Sequence, residues 1–202
     1  MDGRSGSRGQ GHSGRHAPEQ SAEEVHCLFI NAQNRQTVPT IMKPLRDLGI
    51  PTAGIVDIDV FKEGGIVWAH LLNGACIAEP LHEGLENHRL KVFRAFKDAR
   101  VDMNKVGGIK YLDVAERDAA SEVCDQLAKY GAFVVRHGKL ESWLPQLAAA
   151  GHGPDWVIEA FEKMGEDPDT EEYVKPGNGD VWEFVGEIKR WLADPNRKGI
   201  PA

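Results

Sequence analysis

The run Gly49-Ile50-Pro51-Thr52-Ala53-Gly54-Ile55-Val56-Asp57-Ile58-Asp59-Val60-Phe61 constrains the fold more than any other stretch of the chain. A short apolar segment rich in β-branched residues and bounded by Gly and Pro reads as a buried strand, and this one closes on two carboxylates one residue apart. Open α/β sheets gather their ligands and catalytic groups outside the carboxyl ends of the strands, which is where Asp57 and Asp59 fall. Side chains at i and i+2 of a strand point the same way, so the spacing predicts that both carboxylates face one small volume. Like charges that close repel unless a proton or cation lies between them, and a hard, oxygen-seeking cation such as Mg2+ meets that need.

The flanking sequence supplies the rest of a β-α-β pattern. Val25 to Ile30 predicts a first strand, with Asn31-Ala32-Gln33-Asn34 as its polar exit loop. From Thr37 to Leu48, Val38, Ile41, Met42, Leu45 and Leu48 recur at helical spacing, and Gly49 supplies a left-handed stop. Gly64 to Leu72 predicts a short helix. A longer helix over Pro80 to Met103 carries Leu81, Leu85, Val92 and Phe96 as its apolar stripe, with Arg89, Lys91, Arg94, Lys97 and Arg100 off it. Asp113 and Glu116 form a capping box for a helix that stops at Gly131, and Ala132 to Arg136 predicts a third strand, whose exit loop ends at Glu141. Pro154 to Met164 predicts a helix, and Asp180 with Glu183 gives a second capping box. It opens a last helix with Phe184, Val185, Ile188, Trp191 and Leu192 on its buried face. These elements predict one α/β domain over residues 25–199, with a mostly parallel sheet flanked by helices and extra C-terminal helices. Residues 1–24, almost devoid of apolar side chains, are expected to form a disordered tail.

Charge and cysteine content narrow the function classes. A net charge of −7 and a pI near 5.6 exclude a protein coated in basic surface for nucleic acid and leave only a local patch. Arg4, Arg8 and Arg15 of the tail could touch phosphate or be mere solvated chain, and His88, Lys91, Arg94, Lys97 and Arg100 form a stripe able to meet DNA phosphates or simply a solvated helix face. Cys27, Cys76 and Cys124 form no CxxC pair, so buried thiols in a reducing cytosol are expected. His82, His137 and His152 have no partner at metal-ligand spacing. No apolar run approaches the roughly 18 to 20 residues that span a bilayer, and the expectation is a soluble, cytoplasmic protein with no membrane partner.

Asp57 and Asp59 are therefore the leading catalytic and metal-ligating candidates, the alternative being that one caps the following helix. Glu141 is a further catalytic candidate at a different strand exit; equally, it suits the first turn of a helix containing Trp143 and Leu144.

The motifs Pro44-Leu45-Arg46-x-Leu48-Gly49-Ile50-Pro51, Val56-Asp57-Ile58-Asp59-Val60 and Phe133-Val134-Val135-x-x-Gly138-x-Leu140-Glu141-x-Trp143-Leu144 resemble, in that order, the C-terminal Toprim (topoisomerase-primase) domain of overcoming-lysogenization-defect (OLD) type ATP-dependent nucleases and related AAA-type ATPases. The resemblance covers roughly Val25 to Gly199. It implies a Rossmann-like Toprim fold, Asp57 and Asp59 as ligands of Mg2+ (or Mn2+), a contribution from Glu141, and two-metal cleavage of DNA phosphodiesters. Such domains usually follow an ATPase, but no Gly-x-x-x-x-Gly-Lys-Ser/Thr occurs here, so the resemblance implies a unit detached from its ATPase. It also implies a Glu at the exit of the first strand, where this chain has Asn31. That substitution removes a negative ligand and an acid/base, so a weakly active or inactive domain is expected. The missing ATPase and the missing Glu make the resemblance equally compatible with a non-catalytic regulatory or interaction module of a separate ATPase chain, and Asp57-x-Asp59-Val60 also resembles the first motif of haloacid-dehalogenase-like phosphatases, which implies Asp57 as nucleophile and Asp59 as acid/base.

Overall fold

A computed structural model describes residues 27–138, 147–151, 154–165, 167, 169–171, 173–174 and 179–200. Its centre is a parallel pair of strands, β1 (Gly54–Asp57) and β2 (Ala132–Val135), in the register Gly54 opposite Ala132 through Asp57 opposite Val135. Strand alternation sends Val56, Ala132 and Val134 to one face and Phe133 and Val135 to the other. The first face joins the main core, built with α1 (Thr37–Asp47), α2 (Ile66–Gly74), α3 (His82–Ala99) and α4 (Val114–Ala128). On the opposite face α6 (Asp180–Ala193) sets Phe184 and Trp191 edge-on against Phe133. Between them in sequence, α5 (Pro154–Met164) forms a satellite cluster from Leu147, Trp156 and Ala160, to which Val181 of α6 adds.

Arg46 ties these layers together. It is completely buried at the end of α1. Its guanidinium donates to the carbonyls of Thr52 (2.9 and 2.7 Å), Ala75 (2.6 Å) and Gly199 (3.2 Å), and lies 5.1 Å from the centre of the Trp191 ring. No carboxylate pairs with it among the described residues, and burial pushes its pKa down to about 10, which leaves it charged at neutral pH. Gly131, at φ +67°, turns the chain into β2 beside this cluster; a Cβ there would strike the Trp191 ring and the Arg46 guanidinium.

Several expectations from the sequence hold. The helices over 37–47, 66–74, 114–128, 154–164 and 180–193 and the strand over 132–135 form where expected. Asp113 accepts the Glu116 N–H at 2.9 Å as the cap of α4. Other details differ. The first strand does not form over its described part: Cys27 to Ile30 is unpaired coil, with Leu28 86% and Phe29 89% exposed. The parallel sheet among the described residues therefore has two strands, and the architecture is mixed α/β. The second strand ends at Asp57, because Ile58–Lys62 tightens into a 3-10 turn that buries Ile58, Val60 and Phe61 together. The residue preceding α6 is Gly179, with no side-chain cap, and Val185 points outward. Cys27 is exposed and Cys76 half-buried, leaving Cys124 as the buried thiol, its pKa pushed up to about 12 by desolvation. Residues 1–24 lie outside the described residues.

Candidate functional site

The carboxyl end of β1 carries a chain of alternating charges. Asn34, in the loop before α1, accepts the N–H groups of Gln36 and Thr37 and the Thr37 hydroxyl, each at 3.0 Å. That turn precedes α1, and Arg35 within it lies over the strand end. Arg35 Nη2 donates to Glu63 Oε1 at 2.6 Å, while Nη1 lies 3.6 Å from Asp57 Oδ1 and 3.9 Å from Asp59 Oδ2. On its other side Asp59 Oδ1 is 2.6 Å from Lys62 Nζ. Lys62 reaches on to Asp102 at 3.1 Å, and Lys105 stands 3.9 Å beyond.

Asp57 and Asp59 thus converge, though not through strand alternation. The 3-10 turn breaks the i, i+2 relation, and it is the guanidinium that both carboxylates reach. Partial burial raises the Asp57 pKa; Arg35 opposes that rise and the neighbouring Asp59 charge adds to it. Burial disfavours the charge on Arg35 as well, but the Glu63 hydrogen bond and the three carboxylates outweigh it and raise the pKa. The same balance raises Lys62 through Asp59 and Asp102, while the Lys62 and Asn104 hydrogen bonds hold Asp102 low.

Mg2+ binds oxygens at about 2.0–2.1 Å in an octahedron and tolerates little distortion. The donor set here does not fit it as arranged, because the guanidinium stands where the two carboxylates converge and Lys62 holds the second, buried oxygen of Asp59. Among the described residues no group of three or more His, Cys, Asp or Glu side chains is arranged to hold a metal ion.

The remaining candidates lie apart from this cluster. Asn31 is exposed, and its Oδ1 accepts the Gln33 N–H at 2.8 Å in a local turn, with no bond to Asp57 or Asp59. Glu141, Trp143 and His152 lie outside the described residues, and His82 is held by the Ile77 carbonyl at 2.8 Å. On α3, Arg89 is buried on the apolar stripe rather than off it, paired with Glu86 and donating to the Phe61 carbonyl at 2.7 Å. Lys91, Arg94, Lys97 and Arg100 are exposed. Sequence reasoning missed Arg35, Lys62, Glu63 and Asp102. Only Lys62, three residues after Asp59, carried a local signal, and reading it required helical rather than strand geometry there.

The chain is therefore a mixed α/β protein with a salt-bridged acidic pair at a strand end. No protein-family model, curated protein or solved structure matches it. No helix among the described residues is long and apolar enough to cross a membrane.

Proposed function

We propose that this chain is a Toprim-like module that cleaves DNA poorly or not at all and serves as a non-catalytic regulatory or interaction partner of a separate ATPase chain. The observation that carries the non-catalytic part of this reading is the position of Arg35 Nη1, within 4 Å of both Asp57 and Asp59. Two-metal phosphodiester cleavage requires carboxylates free to bridge cations and a positioned acid/base. Here the carboxylates are neutralised by protein cations, and Asn31 carries neither charge nor a transferable proton. Loss of a single acid/base alone lowers rates by roughly 10²-fold to 10⁴-fold.

The test is incubation of the purified protein with supercoiled plasmid and Mg2+ or Mn2+, beside Asp57→Ala. No nicking above the Asp57→Ala background is expected. Robust metal-dependent nicking that Asp57→Ala removes would overturn the reading.

A further inference from the structure

Among the described residues one edge of the sheet is open. The Gly54 N–H donates to the Gly131 carbonyl at 2.8 Å, so Gly54 and Val56 turn their backbone groups towards β2, while Ile55 and Asp57 turn theirs the other way. On that side the N–H and C=O of Ile55 and the N–H of Asp57 meet no hydrogen-bond partner among the described residues, and Ile55 is 46% exposed. The far edge of β2 is covered: Ala132 and Val134 are buried, and the Arg136 carbonyl accepts the Ile109 N–H at 2.9 Å. The fold also leaves one apolar segment without a neighbour. Cys27–Ile30 makes no hydrogen bond among the described residues, and Leu28, Phe29 and Ile30 are exposed in succession. Apart from Ile55, the other exposed large apolar residues have backbones already engaged. They lie on helices or helix caps, as Ile66 and Phe161 do, or resemble Ile50, whose N–H donates to the Leu45 carbonyl at 3.0 Å. Cys27–Ile30 is therefore the described apolar segment whose backbone is free to add as a strand.

We propose that the open edge of β1 receives Cys27–Ile30 of a second copy of this chain, and that two copies exchange these segments about a two-fold axis. A row of unpaired backbone N–H and C=O groups is a template for a strand from another chain. Consecutive apolar residues suit a strand buried on both faces. With Leu28 and Ile30 on one side and Phe29 on the other, either orientation brings an apolar side chain over Ile55. Within its own copy the segment is held off the edge by the turn that follows it. Gln33 adopts φ +62°, uncommon for a residue with a Cβ. Its N–H donates to Asn31 Oδ1 at 2.8 Å, and the Asn34 N–H donates to the Ala32 carbonyl at 2.7 Å, which fixes the turn. Ala32 packs on the main core and Arg35 is tied to Glu63, so the base of the segment is anchored while Leu28 and Phe29 stand in solvent. Reciprocal exchange makes the interface self-complementary and closes it at two copies. Each copy carries −7 overall, and at about 0.15 M salt the Debye length of about 8 Å screens that general repulsion. The contact uses backbone and apolar groups, so it holds whether or not Asp57 and Asp59 take a metal.

Sedimentation velocity of the full chain in EDTA tests this with two variants. Leu28→Ser/Phe29→Ser spoils the donated strand, and Ile55→Lys places a charge on the receiving edge. All three side chains are exposed, and circular dichroism checks that both variants keep the wild-type fold. The wild type is expected to sediment at twice the monomer mass and to grow no further with concentration. Each variant alone is expected to be monomeric. Mixed one to one, they keep an intact edge on one copy and an intact segment on the other, and should recover a dimer at higher concentration than the wild type because one contact of the two remains. Hydrogen exchange reads the edge directly: the amide at position 55 should exchange slowly in the wild type and fast in each isolated variant. A monomeric wild type, a variant that still dimerises, or a mixture that stays monomeric would overturn the proposal. So would a monomer whose amide at position 55 exchanges slowly, which would place the segment on the edge of its own copy.

Discussion

Arg35→Ala separates a salt-bridged acidic pair from a metal site. The substitution removes one hydrogen-bonded ion pair, to Glu63 at 2.6 Å, and two longer ones to Asp57 and Asp59. The Arg35 side chain is 30% exposed, so solvent screening holds each pair to about 0.2–1 kcal/mol, and the three together to about 2 kcal/mol. Removal also leaves Asp57 and Asp59 facing each other with Lys62 as the one remaining cation. For a chain of this size about 2 kcal/mol corresponds to a fall of about 4–8 °C in Tm. The vacated volume is then free for a divalent cation, and at about 100 times its Kd such an ion returns about 2.7 kcal/mol. Thermal melts followed by circular dichroism, in EDTA and across a Mg2+ titration, are the assay. The wild type should show a Tm indifferent to Mg2+. Arg35→Ala should melt lower in EDTA and recover as Mg2+ is added, and Asp57→Asn/Asp59→Asn in the same background should abolish the recovery. An Arg35→Ala protein that melts like the wild type, or that ignores Mg2+, would refute the inference that this guanidinium holds two converging carboxylates apart. A wild type that gains as much from Mg2+ as the variant would show that Arg35 does not fill the site.

Asp57→Asn should stabilise the protein at neutral pH. The folded pKa of Asp57 lies above its ordinary value of 3.8, so its contribution is most favourable below that pH, where both states are protonated, and is lost as pH rises through the folded pKa. Fixing the neutral form should therefore raise Tm at pH 7, with the advantage shrinking as the pH approaches 3.8; a variant less stable by the same margin at both pH values would sink the claim. Arg46→Ala should cost about 2–4 kcal/mol, since it strands the buried Ala75 carbonyl and removes the donor from the part-buried carbonyls of Thr52 and Gly199. Urea denaturation measures that loss, and hydrogen exchange should show residues 194–200 opening first. A change below about 1 kcal/mol would mean that Arg46 is not the tie between α1 and the C-terminal segment.

What the sequence determined by itself is local. The helices from Thr37, Val114 and Pro154 rest on near-neighbour periodicity, a cap such as Asp113, or a stop such as Gly49, all read within a few residues. Strand β2 was legible because four successive apolar residues end at a Gly on one side and at charge on the other. What the tertiary structure decided is where polar groups go when they are buried. Arg89 reads as lying off the apolar stripe and nothing in the local pattern marks Arg46 as buried, yet each is drawn inside by backbone carbonyls from elements distant in the chain. Asp57 and Asp59 stand out in the sequence as neighbouring carboxylates, but their partners, Arg35 and Lys62, come from the loop before α1 and the end of the 3-10 turn. The strand expected at Val25–Ile30 shows the same limit: its alternation and β-branching are local, whereas a strand is made by the neighbour that accepts its hydrogen bonds, and none does so at Cys27–Ile30. Periodicity is written residue by residue, but charge compensation and strand pairing depend on which distant groups the folded chain brings within a few ångströms.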